Sequence, residues 1–178
     1  VLIRCFRARQ LSRLMNRDSL TGLLKHSLIK QEVDKELARC RREQKQASVA
    51  MVDLDHFKQI NDTWGHRSGD IVIKALANML RNRLRETDRI GRYGGEEFLL
   101  VLPGCDPGAA AQLLSEIAEA FALLSFSGGD DSFHVTLSAG VAAIEAFPSG
   151  DEAIEAADKA LYNRKRSGRN GVTVFTHD

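Results

Sequence analysis

Two acidic stretches hold the residues best suited to chemistry. The first is Arg92-Tyr93-Gly94-Gly95-Glu96-Glu97-Phe98. Adjacent glycines permit a tight hairpin turn with positive φ, since neither has a Cβ to clash. Two carboxylates follow, and then the apolar run Phe98-Leu99-Leu100-Val101-Leu102 reads as a buried strand. Carboxylates on a glycine turn at a strand edge are poor packing. They are open enough to hold a divalent cation, and the bare glycine backbone lets a bulky ligand approach. Taken alone, the stretch also reads as a hairpin with solvated glutamates.

The second stretch, Val49-Ala50-Met51-Val52-Asp53-Leu54-Asp55, is another buried-strand signal, ending in two aspartates spaced by one. Strand residues i and i+2 share a face, although Asp55 can already belong to the following turn. If the two strands are neighbours, Asp53 meets Glu96 and Glu97 at one edge. Such a cluster does not stay fully ionised without a counter-cation. Magnesium fits, being a hard ion held by one or two carboxylates together with substrate phosphates. None of the five histidines and three cysteines stands at a familiar zinc spacing. The calcium loop pattern fails because Phe57 occupies its third ligand position. No phosphate-binding P-loop is present either. Phosphate would have to be cradled by backbone N–H groups of His56, Phe57 and Lys58 in the turn after the strand, in the manner of a helix N-terminus.

The elements that must position these groups follow from periodicity. Ile29, Val33, Leu37 and Cys40 mark a helix over 24–42. A strand covers 48–53, and Asn61, Asp62, Gly65 and Gly69 break the chain before a helix over about 69–84. A hairpin of 89–93 and 97–102 surrounds the glycine pair. An alanine-rich helix runs to about Leu124, Ser127 to Asp131 reads as a loop, and a strand covers 135–141. Asp151 to Arg166 forms the last long helix, and Val172 to Phe175 the last strand. A consecutive hairpin excludes a purely parallel sheet. The order βαββαβ predicts a ferredoxin-like, palm-type α/β fold with a mixed sheet.

Composition bounds the rest. The 178 residues suit one domain, a 43% hydrophobic fraction is ordinary for a globular chain, and a formal charge of +1 gives no general attraction to nucleic acid. Three scattered cysteines argue for a reducing compartment, the cytoplasm. No stretch is long and apolar enough to span a membrane. The chain begins at Val1, which suggests a fragment or processed product. Residues 1–16 read as a linker or signalling helix carrying Leu11, Leu14 and Met15, with the domain proper at 17–178. Its arginines, with no acidic residue before Asp18, suit either the cytoplasmic exit of a membrane helix or a link to a soluble sensor.

Together these motifs resemble the GGDEF domain, the diguanylate cyclase family. Besides the Arg92–Phe98 stretch they include Asp18-Ser19-Leu20-Thr21-Gly22-Leu23, the block from Val52 through His66 to Gly69-Asp70, and Asp158-Lys159-Ala160-Leu161-Tyr162 with Lys165 and Gly168-Arg169-Asn170. They stand in family order from about Asp18 to Phe175. The resemblance implies a sheet of about five strands and condensation of two GTP molecules into cyclic di-GMP, at a homodimer interface. It implies magnesium or manganese on the Asp53 carboxylate, the Leu54 carbonyl and the Glu96 carboxylate. Glu97 is a further metal contact or the base, and Glu96 and metal-bound water are alternatives for the latter. Asn61 and Asp70 would read guanine, with His66 beside base or ribose, and Lys165 and Arg169 would hold phosphates. Arg85 and Asp88 match an R-x-x-D site at which product inhibits, nine positions before Gly94. The competing reading is a catalytically weak module that binds cyclic di-GMP or GTP as a receptor. Departures from the family are Leu24-Lys25-His26-Ser27, Trp64 and Arg164.

Overall fold

The computed structural model describes residues 16–177. The expected helix over 1–16 therefore lies outside the described residues, except for Asn16, which sits in a turn. The chain runs α1 (His26–Glu43), β1 (Ala47–Leu54), α2 (Phe57–Trp64), α3 (His66–Arg83), β2 (Arg89–Arg92), β3 (Glu97–Pro103), α4 (Pro107–Ala122), β4 (Phe126–Gly128), β5 (Asp131–Phe133), β6 (Leu137–Ala143), α5 (Gly150–Arg166) and β7 (Gly171–Val174).

Five strands form one sheet in the order β2-β3-β1-β6-β7. The first three junctions are antiparallel, and β7 joins β6 in parallel after the α5 crossover. This is the predicted mixed sheet, with β1 central and buried along its whole length. Side-chain alternation divides the core into two layers. Ala50, Val52, Leu54, Phe98, Leu100 and Leu102 pack against Leu76 and Leu80 of α3 and Leu114, Ile117 and Phe121 of α4. Val49, Met51, Leu99 and Val101 pack against Ile29, Val33 and Leu37 of α1 and Ala153, Ala157 and Leu161 of α5.

Two regions differ from expectation. Asn61 and Asp62, read as breakers, lie inside α2, and α3 begins three residues before the predicted start. The break falls at Gly65 alone, where φ is +82°. Weak helix formers are tolerated in α2 because Ile60 anchors it to the core. The predicted loop at 127–131 is the hairpin β4–β5, turning at Gly129 with φ of +72°. Aromatic packing holds it down: Phe133 stacks on Phe126 and on Trp64 of α2, at centroid distances of 5.7 and 5.0 Å.

Candidate active site

Asp53 lies directly opposite Glu97 in the β1–β3 register, so both side chains leave the sheet on the face that α5 covers. Asp53 is 5% exposed. Its Oδ2 accepts from Nζ of Lys165, in the last turn of α5. Its Oδ1 is buried and has no protein partner. Burial pushes the Asp53 carboxyl up to about 6; Lys165 acts the other way, and the charges of Glu96 and Glu97 add to the rise. Glu97 is also raised, by burial first and then by Asp158.

The turn between β2 and β3 is not built as the sequence suggests. Neither Gly94 nor Gly95 lies among the residues with positive φ. A Cβ at position 94 would stand 2.6 Å from Oε2 of Glu97, so a side chain there would make that carboxylate swing aside. The carbonyl of Glu97 accepts from the N–H groups of Tyr93 and Gly94, at 2.8 and 3.3 Å. Leu54 N–H donates to the Glu96 carbonyl at 3.4 Å, joining the end of β1 to the acidic turn. Glu96 and Glu97 are both half-buried.

Asp55, the other aspartate of the strand end, is fully engaged. It accepts from the hydroxyls of Thr136 and Ser138, each at 2.7 Å, and from Asn170 N–H at 3.0 Å. It therefore ties β6 and the turn after α5 to the end of β1. The Asp-x-Asp spacing signalled two acids on one side; only the tertiary partners assign one of them to architecture.

His56 caps α2 with a left-handed backbone, φ +53°, and makes no side-chain cap bond. The first-turn N–H groups around His56, Phe57 and Lys58 are thus not consumed by a capping side chain, and they favour an anion. Further along α2, Asn61 Oδ1 is buried without a partner. It faces Gly69 of α3 so closely that a Cβ there would lie 2.0 Å away. This brings Asn61 beside the residue that precedes Asp70. Asp70 and His66 are exposed near the start of α3.

Lys165 and Arg169 are arranged differently from each other. Lys165 reaches the acidic site, whereas Arg169 sits in the exit loop with φ of +62°. Its carbonyl is held by Nε and Nη2 of Arg164, at 2.8 and 2.5 Å, so the departure at position 164 fixes the loop that carries Arg169.

Arg85 and Asp88 do not form the surface ion pair that an i,i+3 spacing suggests. The Asp88 carboxylate accepts from Arg85 N–H at 2.8 Å, and Asp88 N–H donates back to the Arg85 carbonyl at 3.1 Å. The guanidinium is left at a cavity of about 600 Å³, lined also by Arg17, Arg81 and Arg89. Burial raises the Asp88 carboxyl, opposed by the Arg85 N–H and the nearby arginines.

The residues present fit a divalent ion. A buried carboxylate oxygen without a partner and an ammonium standing on its twin are what a cation site offers when the protein alone fills it. Among the described residues, no three carboxylate, histidine or cysteine side chains gather closely enough to hold an ion by themselves. Two carboxylates and a main-chain carbonyl would leave the remaining positions of a hard divalent ion to other oxygen ligands.

Known proteins resemble this chain in sequence and fold. The family described as diguanylate cyclase, GGDEF domain, matches residues 15–171. Diguanylate cyclase DgcP of Pseudomonas aeruginosa is 41% identical over 157 residues, covering 88% of this chain and 23% of that protein. The probable diguanylate cyclase DgcC of Escherichia coli K12 is 35% identical over 167 residues, covering 93% of this chain and 45% of that protein. The chain thus spans under half the length of these relatives. The coiled coil and GGDEF domain of DgcB from Caulobacter crescentus, solved with c-di-GMP, superposes with a TM-score of 0.90 at 32% identity, covering 97% of this chain and 93% of that one. With its acidic turn set against the end of the central strand, and with these relatives, the chain belongs to the GGDEF domain family of diguanylate cyclases.

Proposed function

We propose that this domain condenses two GTP molecules into cyclic di-GMP with release of two pyrophosphates. The observation that carries the reading is Asp53, a buried carboxylate with one unpartnered oxygen, in register with the acidic turn. Asp53, the Leu54 carbonyl and Glu96 would hold magnesium or manganese. An ion held there would supply neutralisation of phosphate charge and a lowered pKa for the attacking hydroxyl. The ribose 3′-oxygen of one GTP bonds to the α-phosphorus of the other as the bond to pyrophosphate breaks. Glu97, raised above the ordinary carboxyl value mainly by burial, is suited to receive the hydroxyl proton. The first-turn N–H groups of α2, with Lys165 and Arg169, orient the phosphates.

Guanine is read by Asn61, whose buried Oδ1 needs a donor, and by Asp70, with His66 at the base or ribose. Adenine lacks the N2 amine and presents an acceptor at N1, leaving Asp70 opposed to a lone pair. The cavity at Arg85 and Asp88, where four arginines outnumber Glu32, Glu86 and Asp88, suits a dianionic product, which would act there as a feedback inhibitor. The reaction needs two facing sites, so the active species is a homodimer. Its assembly is controlled through residues 1–16 by an upstream sensor or membrane segment. Buried, unpaired Cys40 and Cys105 suit a reducing cytoplasm, and no described helix is long and apolar enough to cross a membrane.

The test is incubation of the purified protein with GTP and magnesium, followed by chromatography for cyclic di-GMP. Asp53→Ala and Glu96→Ala are expected to abolish product while the far-ultraviolet circular dichroism stays unchanged. Wild-type product from either variant overturns the metal assignment. Tight cyclic di-GMP binding with no turnover by the wild type replaces the cyclase reading with the receptor one.

A further inference from the structure

Two motifs of the sequence have no role in the chemistry above: the Asp18–Leu23 turn and the Arg92 that precedes Tyr93. The structure joins them. Arg92 donates through Nε and Nη2 to the carbonyl oxygen of Gly95, at 3.0 and 2.7 Å. Its remaining nitrogen, Nη1, reaches both oxygens of Asp18, at 3.1 and 3.3 Å. Asp18 is itself fixed, because its Oδ2 accepts from the N–H and hydroxyl of Thr21 at 2.8 and 2.7 Å. Thr21 is buried, and its carbonyl is held by Nη2 of Arg81 on α3 at 2.6 Å. Both partners of the pair are largely sheltered, with side-chain exposures of 19% for Arg92 and 18% for Asp18.

We infer that Arg92, oriented by Asp18, is a positioning residue for the acidic turn, and that it sets where the Glu96 carboxylate stands. The Gly95 carbonyl and the Glu96 nitrogen belong to one planar peptide unit, so two donors on that oxygen fix the orientation from which the Glu96 side chain departs. The need for such a hold is local. Gly95 has open space around its missing Cβ, and glycine loses more conformational freedom on ordering than any other residue. Without the clamp, the residue next to the proposed metal ligand is the loosest point of the turn. The planar fork of arginine spans both ends of the link, which one lysine ammonium cannot reproduce. Other groups of the same segment hold the neighbouring backbone. Leu24 exchanges backbone bonds with Ile90 and Arg92, at 3.3 and 2.9 Å, and His26 stacks on Tyr93 at 4.2 Å. The acidic turn is therefore held by the chain that directly follows residues 1–16.

This inference rests on the cyclase reading, and its test separates the two. Arg92→Lys, Asp18→Asn and the double variant are compared with the wild type in GTP turnover and in amide hydrogen exchange without nucleotide. Each single variant is expected to lower kcat by about tenfold to 100-fold, the scale of a misplaced catalytic group, with KM for GTP within about twofold. The double variant should fall no further than the worse single one, because both act through one chain of contacts. Exchange at the Tyr93, Gly94 and Leu54 amides, which donate to the carbonyls of Glu97 and Glu96, should quicken in each variant, with core strands unchanged. Asp18→Asn retains the shape of the side chain and decides the matter if Arg92→Lys fails to fold. Unchanged exchange at the turn, additive losses, or a raised KM at constant kcat overturns the inference. Quickened exchange alongside a wild type that makes no product supports the clamp and sinks the cyclase reading alone.

Discussion

Asp53 shows how a single residue can be set against its own environment. A carboxyl whose folded pKa lies above its unfolded one binds protons more tightly in the folded state. Its contribution favours the fold below the ordinary value of 3.8 and is lost as pH rises through about 6. The metal-free protein should accordingly lose melting temperature between roughly pH 4 and pH 6, relative to Asp53→Asn, in which this titration is absent. Thermal unfolding of both proteins across that range, with chelator, checks the sign; parallel curves would remove Asp53 as the cause. Magnesium at pH 7 should restore the loss, by binding only the folded state. Arg85 poses a separate question at the same scale. Its guanidinium is not tied up by Asp88, so Arg85→Ala should weaken cyclic di-GMP binding and raise accumulated product. Superimposable inhibition curves for wild type and variant would leave the cavity without a regulatory role.

Among the elements, α5 decides whether Lys165 can reach Asp53. The helix crosses β6 at Gly140, where a Cβ would stand 2.1 Å from the Ala157 carbonyl and 2.2 Å from Leu161 N. These are backbone atoms, so no rotamer change relieves the clash. Gly140→Ala should destabilise the domain by about 1–3 kcal/mol or more, the range for overpacked cores, measured by urea unfolding. It should also impair catalysis by lifting Lys165 and the Asn170 turn from the site. The corner between α2 and α3 makes a similar demand at Gly69, where the neighbour is the Asn61 side chain rather than backbone. Gly69→Ala should displace Asn61 and reduce discrimination between GTP and ATP by about tenfold or more, since a site built around hydrogen bonds loses its selectivity with them. Equal discrimination in the variant would argue that Asn61 does not read the base.

For the whole molecule, one chain offers one acidic site and one Asn61/Asp70 corner, whereas cyclic di-GMP needs two GTP molecules facing each other. Specific activity should therefore rise with enzyme concentration for this chain and flatten when a leucine zipper is fused in register before Val1, by raising the effective concentration of partners. A flat dependence with a monomeric mass by light scattering would rule out the dimer requirement. A helix over residues 1–16 would barely exceed the length of about 12–15 residues below which isolated helices are marginal, so dimerisation is expected to need upstream help.

The sequence by itself determined most of the elements and named the residues of the candidate site, several of them only through the family resemblance of its motifs. Apolar runs ending in acids placed Asp53 and Glu97 at strand ends, and helical periodicity found α1 and α5, because these patterns are local consequences of backbone geometry. The family resemblance pointed to Asp53 rather than Asp55, and tertiary structure supplied the physical difference: Asp55 is saturated by Thr136, Ser138 and Asn170, while Asp53 keeps an unpartnered oxygen. It also showed that Gly94 does not take the left-handed backbone its turn position suggests, and that a Cβ there would instead displace the Glu97 carboxylate, which only the folded hairpin turns toward it. The hairpin at 126–133 escaped detection because its strands are three residues each, stabilised by Trp64 from another element. Arg92 and Asp18, 74 positions apart, carry no periodic signal linking them. Their contact exists because the chain after residue 16 runs along β2, and only the assembled sheet edge brings that strand and that turn together.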